Sequence, residues 1–321
     1  MKTCLIYGQN GLDLEIAFNL RSFYKALGFK TFFSEKLYDA DLLVVVRAVD
    51  KTIDTQTLNF SLVHVYDYGG WDYDAFVRTI DQKITYIFCT SSIKKNRLIE
   101  ILHFPANQVF VALPPIDIKL WCKKIKELKY NTVHIGNFKP ITEDDSIKDR
   151  FNQTLSYFKT HIWGLGWQLD KYQSHGKTSY FTVSSIYSQS KFALGLMYPF
   201  QREVTFSSRF WLAPLNGCLL FSEPGLFTSK IPGVIETDYS QEDIEEKFNI
   251  KYDRYILQNE AKKFWLQQNE ETLFLVKQTL LHFISNDFSF RKLLNFIFVS
   301  SINLFREFYQ KLSLFKLFKN N

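Results

Sequence analysis

Along the first third of the chain, short runs of apolar residues alternate with segments of helical periodicity. Such short apolar runs are typical of strands that are buried on both faces of a parallel sheet. Between the first two runs, Leu14, Ala17 and Leu20 keep helical spacing, and Gly28 follows as a helix terminator. Strands and helices that alternate in this way indicate a doubly wound sheet. The predicted strands are residues 4–7, 31–34, 42–46, 62–66, 86–89 and 109–112.

The same alternation begins again after Pro114-Pro115 and a lysine-rich segment at residues 121–129. Five more apolar runs predict strands, and from residue 253 onward the pattern is helical. These strands are residues 132–135, 161–164, 191–196, 218–221 and 233–236.

A chain of 321 residues is long for one domain, so two domains of ordinary size are the simpler prediction. We therefore predict an α/β protein with two tandem doubly wound, Rossmann-like domains that face a cleft. The first domain is residues 1–125, the second is residues 126–255, and residues 256–321 form a helical extension. This extension is expected either to cross back to the first domain or to touch a membrane.

Residues 191–225 carry the strongest functional signal in the chain. A buried strand leads into a polar loop, followed by a predicted helix at residues 207–215 that ends at Asn216-Gly217, and then by a second strand. The loop and the first turn of the helix contain Arg202, Ser208 and Arg209. In open α/β sheets ligands bind beyond the carboxyl ends of the strands, and arginine together with a helix N-terminus suits a phosphate. The sequence therefore predicts a phosphate site here, whereas two solvated surface arginines are the alternative.

Two glycine turns follow earlier strands of the second domain. Gly136 and Asn137 come directly after a strand and precede Lys139, so the backbone there can approach a ligand and the lysine can meet a phosphate. Gly164 repeats this arrangement at the end of the next strand. Purely structural turns and a solvated lysine explain the same residues, and the sequence leaves both interpretations open.

The loops of the first domain offer groups that suit a hydroxyl-bearing ligand. Asn10 and Gly11 form the turn after the first strand, and Asp67 follows the fourth predicted strand. Asp67 can orient or deprotonate a hydroxyl group, and Tyr68 or Trp71 can stack on a sugar ring. These five residues are predicted to lie at the edge of the cleft.

His64 lies inside a predicted strand and is interpreted as a core histidine rather than a base. Asp72-Tyr73-Asp74 and Asp39-Ala40-Asp41 match the short D-x-D pattern by which some sugar transferases hold a divalent cation. Such short patterns arise by chance in a chain of this length, so no metal site is predicted. The chain contains no P-loop, zincin or nucleophile-elbow pattern, which argues against those chemistries.

Composition and charge exclude little further. The chain is 46% hydrophobic and has a net charge of +6, so it can bury a large core and favours anionic partners. The four cysteines are far apart and lack metal-binding spacing, which predicts free thiols in a reducing compartment. No run reaches the roughly 18 apolar residues of a membrane span, and the predicted location is cytoplasmic.

An apolar stripe with lysines and arginines beside it runs through the last part of the chain, residues 291–321. One interpretation is a basic amphipathic helix that lies on the inner, anionic face of a membrane. The other is a terminal helix that packs on its own domain with its lysines in water. The sequence does not choose between them.

In its second half the chain resembles glycosyltransferases of the GT-B fold. It is most similar to the bacterial two-domain type grouped as spore-coat-protein-like transferases, or glycosyl transferases group 1. The resemblance is carried by residues 134–140, 162–167, 186–196 and 208–217. It implies transfer of a sugar from a nucleotide donor on the second domain to an acceptor on the first.

By position, the resemblance implies that Gly136, Asn137 and Lys139 line the donor diphosphate and that Arg209 neutralises its charge. The chain departs from the family at one place, because Leu212 stands where a glutamate usually binds the donor ribose. Either Glu203 or Glu223 substitutes, or the donor is held differently, or activity is lost.

We therefore expect a metal-independent glycosyltransferase that uses a nucleotide sugar, with UDP as the favoured nucleotide and no separate cofactor. Asp67, Lys139 and Arg209 are its predicted catalytic residues, and the donor site also includes Gly164, Arg202, Ser208 and Glu223. The expected acceptor is a glycan or lipid-linked molecule of a bacterial surface polysaccharide, such as lipopolysaccharide O-antigen or capsule, and no nucleic-acid partner is expected. A catalytically silent GT-B module and a sugar-nucleotide epimerase are the alternatives.

Overall fold

Two parallel sheets of six strands each form the framework of the chain. The structure is a computed structural model that describes residues 3–7, 14–34, 36–46, 60–67, 80–138, 146–167, 172–197, 207–225 and 227–284. We call the part that carries β1–β6 the first lobe and the part that carries β7–β12 the second lobe. The predicted α/β architecture with two doubly wound sheets is confirmed.

The first lobe has the strand order β2-β1-β3-β4-β5-β6. Each of its six predicted strands is present, with ends that differ from the prediction by at most two residues. Ser91 caps α2 by accepting a hydrogen bond from the backbone N–H of Lys94. The elements in chain order are β1 Thr3–Tyr7, α1 Leu14–Ala26, β2 Lys30–Ser34, β3 Ala40–Val46, β4 Phe60–Asp67, β5 Thr85–Cys89, α2 Ser92–Glu100 and β6 Val109–Val111.

The second lobe has the strand order β12-β11-β10-β7-β8-β9, so the order reverses between β7 and β10. Such a reversal opens a crevice at the carboxyl ends of the two strands, where ligands bind in open α/β sheets. The elements are α3 Ile118–Trp121, β7 Tyr130–Ile135, α4 Ser146–Tyr157, β8 His161–Trp163, β9 Gln173–Ser174, α5 Tyr180–Tyr187, β10 Ser190–Leu194, α6 Arg209–Leu212, β11 Leu219–Ser222, β12 Val234–Glu236, α7 Gln241–Phe248 and α8 Arg254–Ile284.

The prediction of one helix at residues 207–215 was wrong in its length. α6 ends at Leu212, and a separate turn of 3₁₀-helix follows at Pro214–Asn216. Pro214 has no backbone N–H and therefore cannot donate the next hydrogen bond of an α-helix. Gly217 then adopts a left-handed conformation with φ of 69°, which ends the segment as predicted.

The long helix α8 connects the two lobes. Near its start, Gln258 Nε2 donates hydrogen bonds to the carbonyls of Lys123 and Leu215. Halfway along, the side-chain amide of Asn269 accepts from the backbone N–H of Ile116 at 2.7 Å and donates to its carbonyl at 2.8 Å. Near its end, α8 contacts the first lobe through Thr279. Within the described residues, α8 therefore runs from the second lobe to the first.

Residues 285–321, which include the whole of the predicted basic amphipathic segment at residues 291–321, lie outside the described residues. Of the helices that the described ranges contain, none is long and apolar enough to cross a bilayer.

A buried hydrogen-bonded group joins α8 to the first sheet. His64 in β4 is fully buried; Tyr24 Oη lies 2.5 Å from its Nδ1, and Thr279 Oγ1 lies 3.0 Å from its Nε2. Thr279 already donates to the carbonyl of Val276, so its oxygen accepts a hydrogen bond from Nε2–H, and Tyr24 donates a hydrogen bond to Nδ1. Burial lowers the pKa of His64 to about 3, so the ring is neutral. The prediction that His64 is a core residue is confirmed.

Candidate functional site

The crevice between β7 and β10 is where the second lobe assembles its candidate site. His134 Nδ1 donates to the carbonyl of Leu194 at 2.8 Å and so ties the ends of the two strands together. The strands are followed by Gly136 and Gly195. A Cβ atom added to Gly195 would lie 3.4 Å from Nη1 of Arg209. The guanidinium group therefore lies against the backbone at the mouth of this crevice.

Arg209 is held in place by two of its three guanidinium nitrogens. Nη2 donates to the carbonyl of Leu196 at 3.0 Å, and Nε donates to Ser207 Oγ at 3.2 Å. Nη1 is buried and has no hydrogen-bond acceptor among the described residues. Buried polar groups are nearly always hydrogen-bonded, and a guanidinium group binds phosphate or carboxylate oxygens strongly. The geometry of Arg209 thus suits an anion at the crevice.

Ser208 immediately precedes α6 and is partly exposed. Its carbonyl accepts a hydrogen bond from the backbone N–H of Leu212 at 3.0 Å, and its side chain forms no capping bond. Ser208 is therefore beside Arg209 at the crevice, as the sequence placed it, and its contact with a donor stays a prediction.

The loops after β7 and β8 bind each other. Asn137 Oδ1 accepts from the backbone N–H of Leu165 at 2.9 Å, and Trp167 Nε1 donates to the carbonyl of Gly136 at 2.8 Å. A Cβ atom on Gly164 would lie 1.9 Å from the same carbonyl oxygen, so no larger residue fits there. Close packing of two loops accounts for Gly164. The donor-binding roles of Gly136, Asn137 and Gly164 stay predictions.

Glu223 follows β11 and is 0% exposed. Its carboxylate accepts hydrogen bonds from the backbone N–H of Met197 and from Ser222 Oγ. It therefore positions the chain that leaves β10, and a contact with a donor ribose stays a prediction. Leu212, at the position of the family's usual glutamate, is 2% exposed and belongs to the hydrophobic core. Glu203 lies outside the described residues.

The sequence did not identify Tyr239, which completes the crevice. Its hydroxyl group donates toward the carbonyls of Gly195 and Phe221, and it thereby fixes the ends of β10 and β11. Burial raises the pKa of Tyr239, and the nearby carboxylate of Glu223 raises it further. The phenol therefore stays protonated and acts as a donor. Its one local signal is a positive φ of 59°, which a sequence does not reveal.

His134 predicts a pH dependence of stability. Burial, assisted by the charge of Arg209, lowers its pKa to about 3, whereas an unfolded histidine titrates near 6.5. Below pH 6.5 the unfolded chain therefore binds a proton that the folded chain excludes, and stability falls as pH falls. Between pH 8 and pH 5 this histidine is expected to remove about 2 kcal/mol from the free energy of unfolding.

Urea unfolding of the wild type and of His134→Gln at these two pH values measures this contribution. The variant should lose about 2 kcal/mol less than the wild type on acidification. His103 is exposed, so His103→Gln serves as the control and should keep the pH dependence of the wild type. An identical pH dependence in His134→Gln and the wild type would contradict the assignment.

In the first lobe, Asp67 is the last residue of β4 and only 3% exposed. Lys94 Nζ lies 2.8 Å from its Oδ1, and Lys94 is itself buried. Lys94 carries no sequence signal of this role, since nothing in a helix that begins with a capping serine indicates an ion pair with a strand 27 residues away. The pair positions Asp67 at the carboxyl edge of the first sheet, and its role as a base stays a prediction.

Several predicted site residues lie outside the described residues. They are Asn10, Gly11, Tyr68, Trp71, Lys139 and Arg202. In chain order, Asn10 and Gly11 follow β1, and Tyr68 and Trp71 follow β4. Lys139 follows β7, and Arg202 follows β10.

A cavity of about 690 Å³ lies between the two lobes and α8. Its first-lobe side is lined by Thr90, which follows β5, and by Val111, the last residue of β6. Its second-lobe side is lined by Phe227 and Ile231, which lie between β11 and β12. Thr90, Val111 and Phe227 therefore place part of this cavity at the carboxyl edge of each sheet. The predicted cleft between the two doubly wound domains is present there.

No protein-family model matches the chain, and no curated protein matches its sequence. Solved structures do match it. AviGT4, a glycosyltransferase involved in avilamycin A biosynthesis, has a TM-score of 0.60 and 8% identity, over 87% of this chain and 98% of that chain. A DNA-modifying β-glucosyltransferase has a TM-score of 0.57 and 12% identity, over 87% and 99%. An α-glucosyltransferase solved with UDP-glucose and DNA containing an abasic site has a TM-score of 0.55 and 14% identity, over 88% and 99%.

These similarities show that the chain has the GT-B fold, and the predicted fold is confirmed. Identities of this size establish fold alone. Because two of these enzymes are described with DNA, the expectation of no nucleic-acid partner has no support from the comparisons.

Proposed function

We propose that the protein is a glycosyltransferase that moves a sugar from a UDP-sugar to a hydroxyl group. The observation that carries the proposal is Arg209, whose buried Nη1 lies at the β7–β10 crevice without an acceptor among the described residues. A nucleotide diphosphate supplies oxygens for such a group. The proposal is supported by the similar α-glucosyltransferase, which was solved with UDP-glucose.

In the transfer, the acceptor oxygen forms a bond to C1 of the sugar as the bond from C1 to the diphosphate oxygen breaks. The electron pair of that bond leaves with the diphosphate, and the hydroxyl proton passes to a carboxylate or to the released diphosphate. Negative charge therefore grows on the leaving group. Cationic side chains placed beside it stabilise the transition state without a metal ion.

Arg209 is assigned to the leaving diphosphate, together with Lys139 and Arg202 from the loops that follow β7 and β10. Gly136, Asn137, Gly164, Ser208 and Glu223 complete the proposed donor side.

On the acceptor side the proposal places Asp67, Asn10, Gly11, Tyr68 and Trp71. The fold analogy alone suggests a bacterial surface glycan, such as O-antigen or capsule, and a cytoplasmic site of action at the inner face of the membrane. DNA is the competing acceptor, because two enzymes of similar structure are described with it.

A catalytically silent GT-B module is the second candidate function. It is favoured by Leu212, whose side chain lies in the core at the position of the family's ribose-binding glutamate. It is also favoured by Glu223, whose side chain is fully buried and so is not presented to a donor ribose. Such a module would bind a nucleotide without turning it over.

Incubation of the full chain with UDP-, GDP-, CMP- and dTDP-sugars separates the candidates. Nucleotide release is measured with and without acceptors, which are oligosaccharides, duplex DNA and 2-naphthol. Release that requires an acceptor is the expected result. Binding without release would indicate the silent module, and isomerisation of the donor would indicate an epimerase. Failure to bind any of the nucleotides would contradict the proposal.

A further inference from the structure

We infer that the cavity between the lobes binds the apolar part of the acceptor, a small aromatic or alicyclic molecule that carries a hydroxyl group. The acceptor role rests on the proposed function, whereas binding of an apolar ring does not, so the two are measured separately.

The walls of the cavity are chemically suited to an apolar ring. Phe227 and Ile231 approach from the second lobe, Leu113 from the first, and Phe264 and Leu275 from α8. A volume of about 690 Å³ lies within the range of sites that enclose a drug-sized molecule. Such sites combine mostly apolar and aromatic walls with a few polar groups, as this one does.

Its position gives the occupant access to the cleft. Thr90 and Val111 lie at the carboxyl ends of β5 and β6, and Phe227 precedes Thr228, which hydrogen-bonds to Glu236 at the carboxyl end of β12. The crevice that holds Arg209 is at the same edge of the second sheet, two strands from β12. A molecule held beside these residues is therefore at the edge of the second sheet where the donor is proposed to bind.

The charges at the rim oppose a nucleic acid as the occupant. Lys230 is exposed on one side, and Glu270 and Glu271 are exposed on the other, so the rim is negative overall. Nucleic acids bind through clusters of lysine and arginine that neutralise phosphates. The cavity thus favours a neutral ligand, and DNA contact would have to use another surface.

The shape opposes a membrane or a protein. Phe274 and Val111 are exposed at the opening, but the other apolar walls are recessed in a concave space, and the exposed carboxylates of Glu270 and Glu271 beside that opening repel an anionic membrane surface. A stable protein partner buries about 800 Å² on each side, which a cavity of this size does not offer.

Binding of 2-naphthol, followed by its fluorescence, tests the cavity directly. Phe274 is a lining residue that is 62% exposed, so Phe274→Asp changes the wall without removing core packing. Ile256, on the same helix but outside the cavity, is 58% exposed, and Ile256→Asp is the matched control. We expect Phe274→Asp to weaken binding at least about tenfold, because it replaces an aromatic contact by a carboxylate that a bound apolar ring would partly strip of water, and Ile256→Asp to leave it unchanged.

Val111→Asp is the second variant, on the opposite wall, and should weaken binding to a similar extent. Thermal midpoints confirm that all three proteins are folded. The inference is overturned if the wild type shows no saturable binding, or if both wall variants bind as the control does.

Transfer from UDP-glucose to 2-naphthol, compared with transfer to free glucose, tests the acceptor role. We expect naphthyl glucoside as the preferred product, and its loss in Phe274→Asp. If 2-naphthol binds and no nucleotide sugar does, the proposed function fails while the cavity site stands. If nucleotide sugars turn over only with oligosaccharides or DNA, the acceptor role fails and the proposed function stands.

Discussion

Replacement of Arg209 by lysine is expected to lower kcat/KM for UDP-glucose by about 100-fold or more, because one preorganised donor to a developing anion is typically worth that much. Lysine keeps the positive charge but has a single side-chain nitrogen. It cannot bond to the carbonyl of Leu196 and to Ser207 Oγ and also point into the crevice, as the three guanidinium nitrogens do. The affinity for UDP, measured by calorimetry, should fall as well.

Arg150 provides the matched control. It lies in α4 of the same lobe, where its Nε donates to the carbonyl of Asp238 at 2.8 Å. Arg150→Lys should therefore leave both turnover and UDP affinity near the wild-type values. Wild-type turnover in Arg209→Lys would remove the main support for the proposed function, whatever the fold.

Lys94→Met is expected to lower the free energy of unfolding by about 3–5 kcal/mol, the usual cost when one member of a buried ion pair is removed. The substitution removes the ammonium group that lies 2.8 Å from Asp67 Oδ1, in a site where both side chains are buried. Methionine fills a similar volume, so the loss reports on the charge and not on a cavity. Urea unfolding at pH 7 measures the change.

The double variant Asp67→Asn, Lys94→Met is the test of this explanation, since it removes both charges. It should recover most of the lost stability. Lys95→Met changes the neighbouring, partly exposed lysine and should alter stability by no more than about 0.5 kcal/mol. Equal stability of Lys94→Met and the wild type would contradict the account. A stable double variant without turnover would in turn support the predicted role of Asp67 as a base.

The strands were predictable because each buried parallel strand leaves an apolar run in the sequence. β9 is the instructive exception. It consists of Gln173 and Ser174, which form an edge strand next to β8 and carry no apolar run at all. The break within residues 207–215 was missed for another reason, since Pro214 was counted within a helical pattern although its ring prevents the next α-helical hydrogen bond.

The site was predictable only where a local signal coincided with a strand end. Arg209 was identified because it stands at a strand-to-helix junction. Tyr239 and His134 contact residues 44 and 60 positions away, and Lys94 contacts a residue 27 positions away. Long-range contacts of this kind depend on strand order, which the sequence of one chain does not reveal.

Because α8 is fixed to the second lobe through Gln258 and to the first through Thr279, over about 30 Å of helix, the two lobes cannot move apart as independent bodies. A hinge motion would have to rotate one lobe about the axis of α8 or bend the helix near Asn269. The side chain of Asn269 forms two hydrogen bonds with the backbone of Ile116. A change in the width of the cleft is therefore expected to involve rotation about α8 or bending of it.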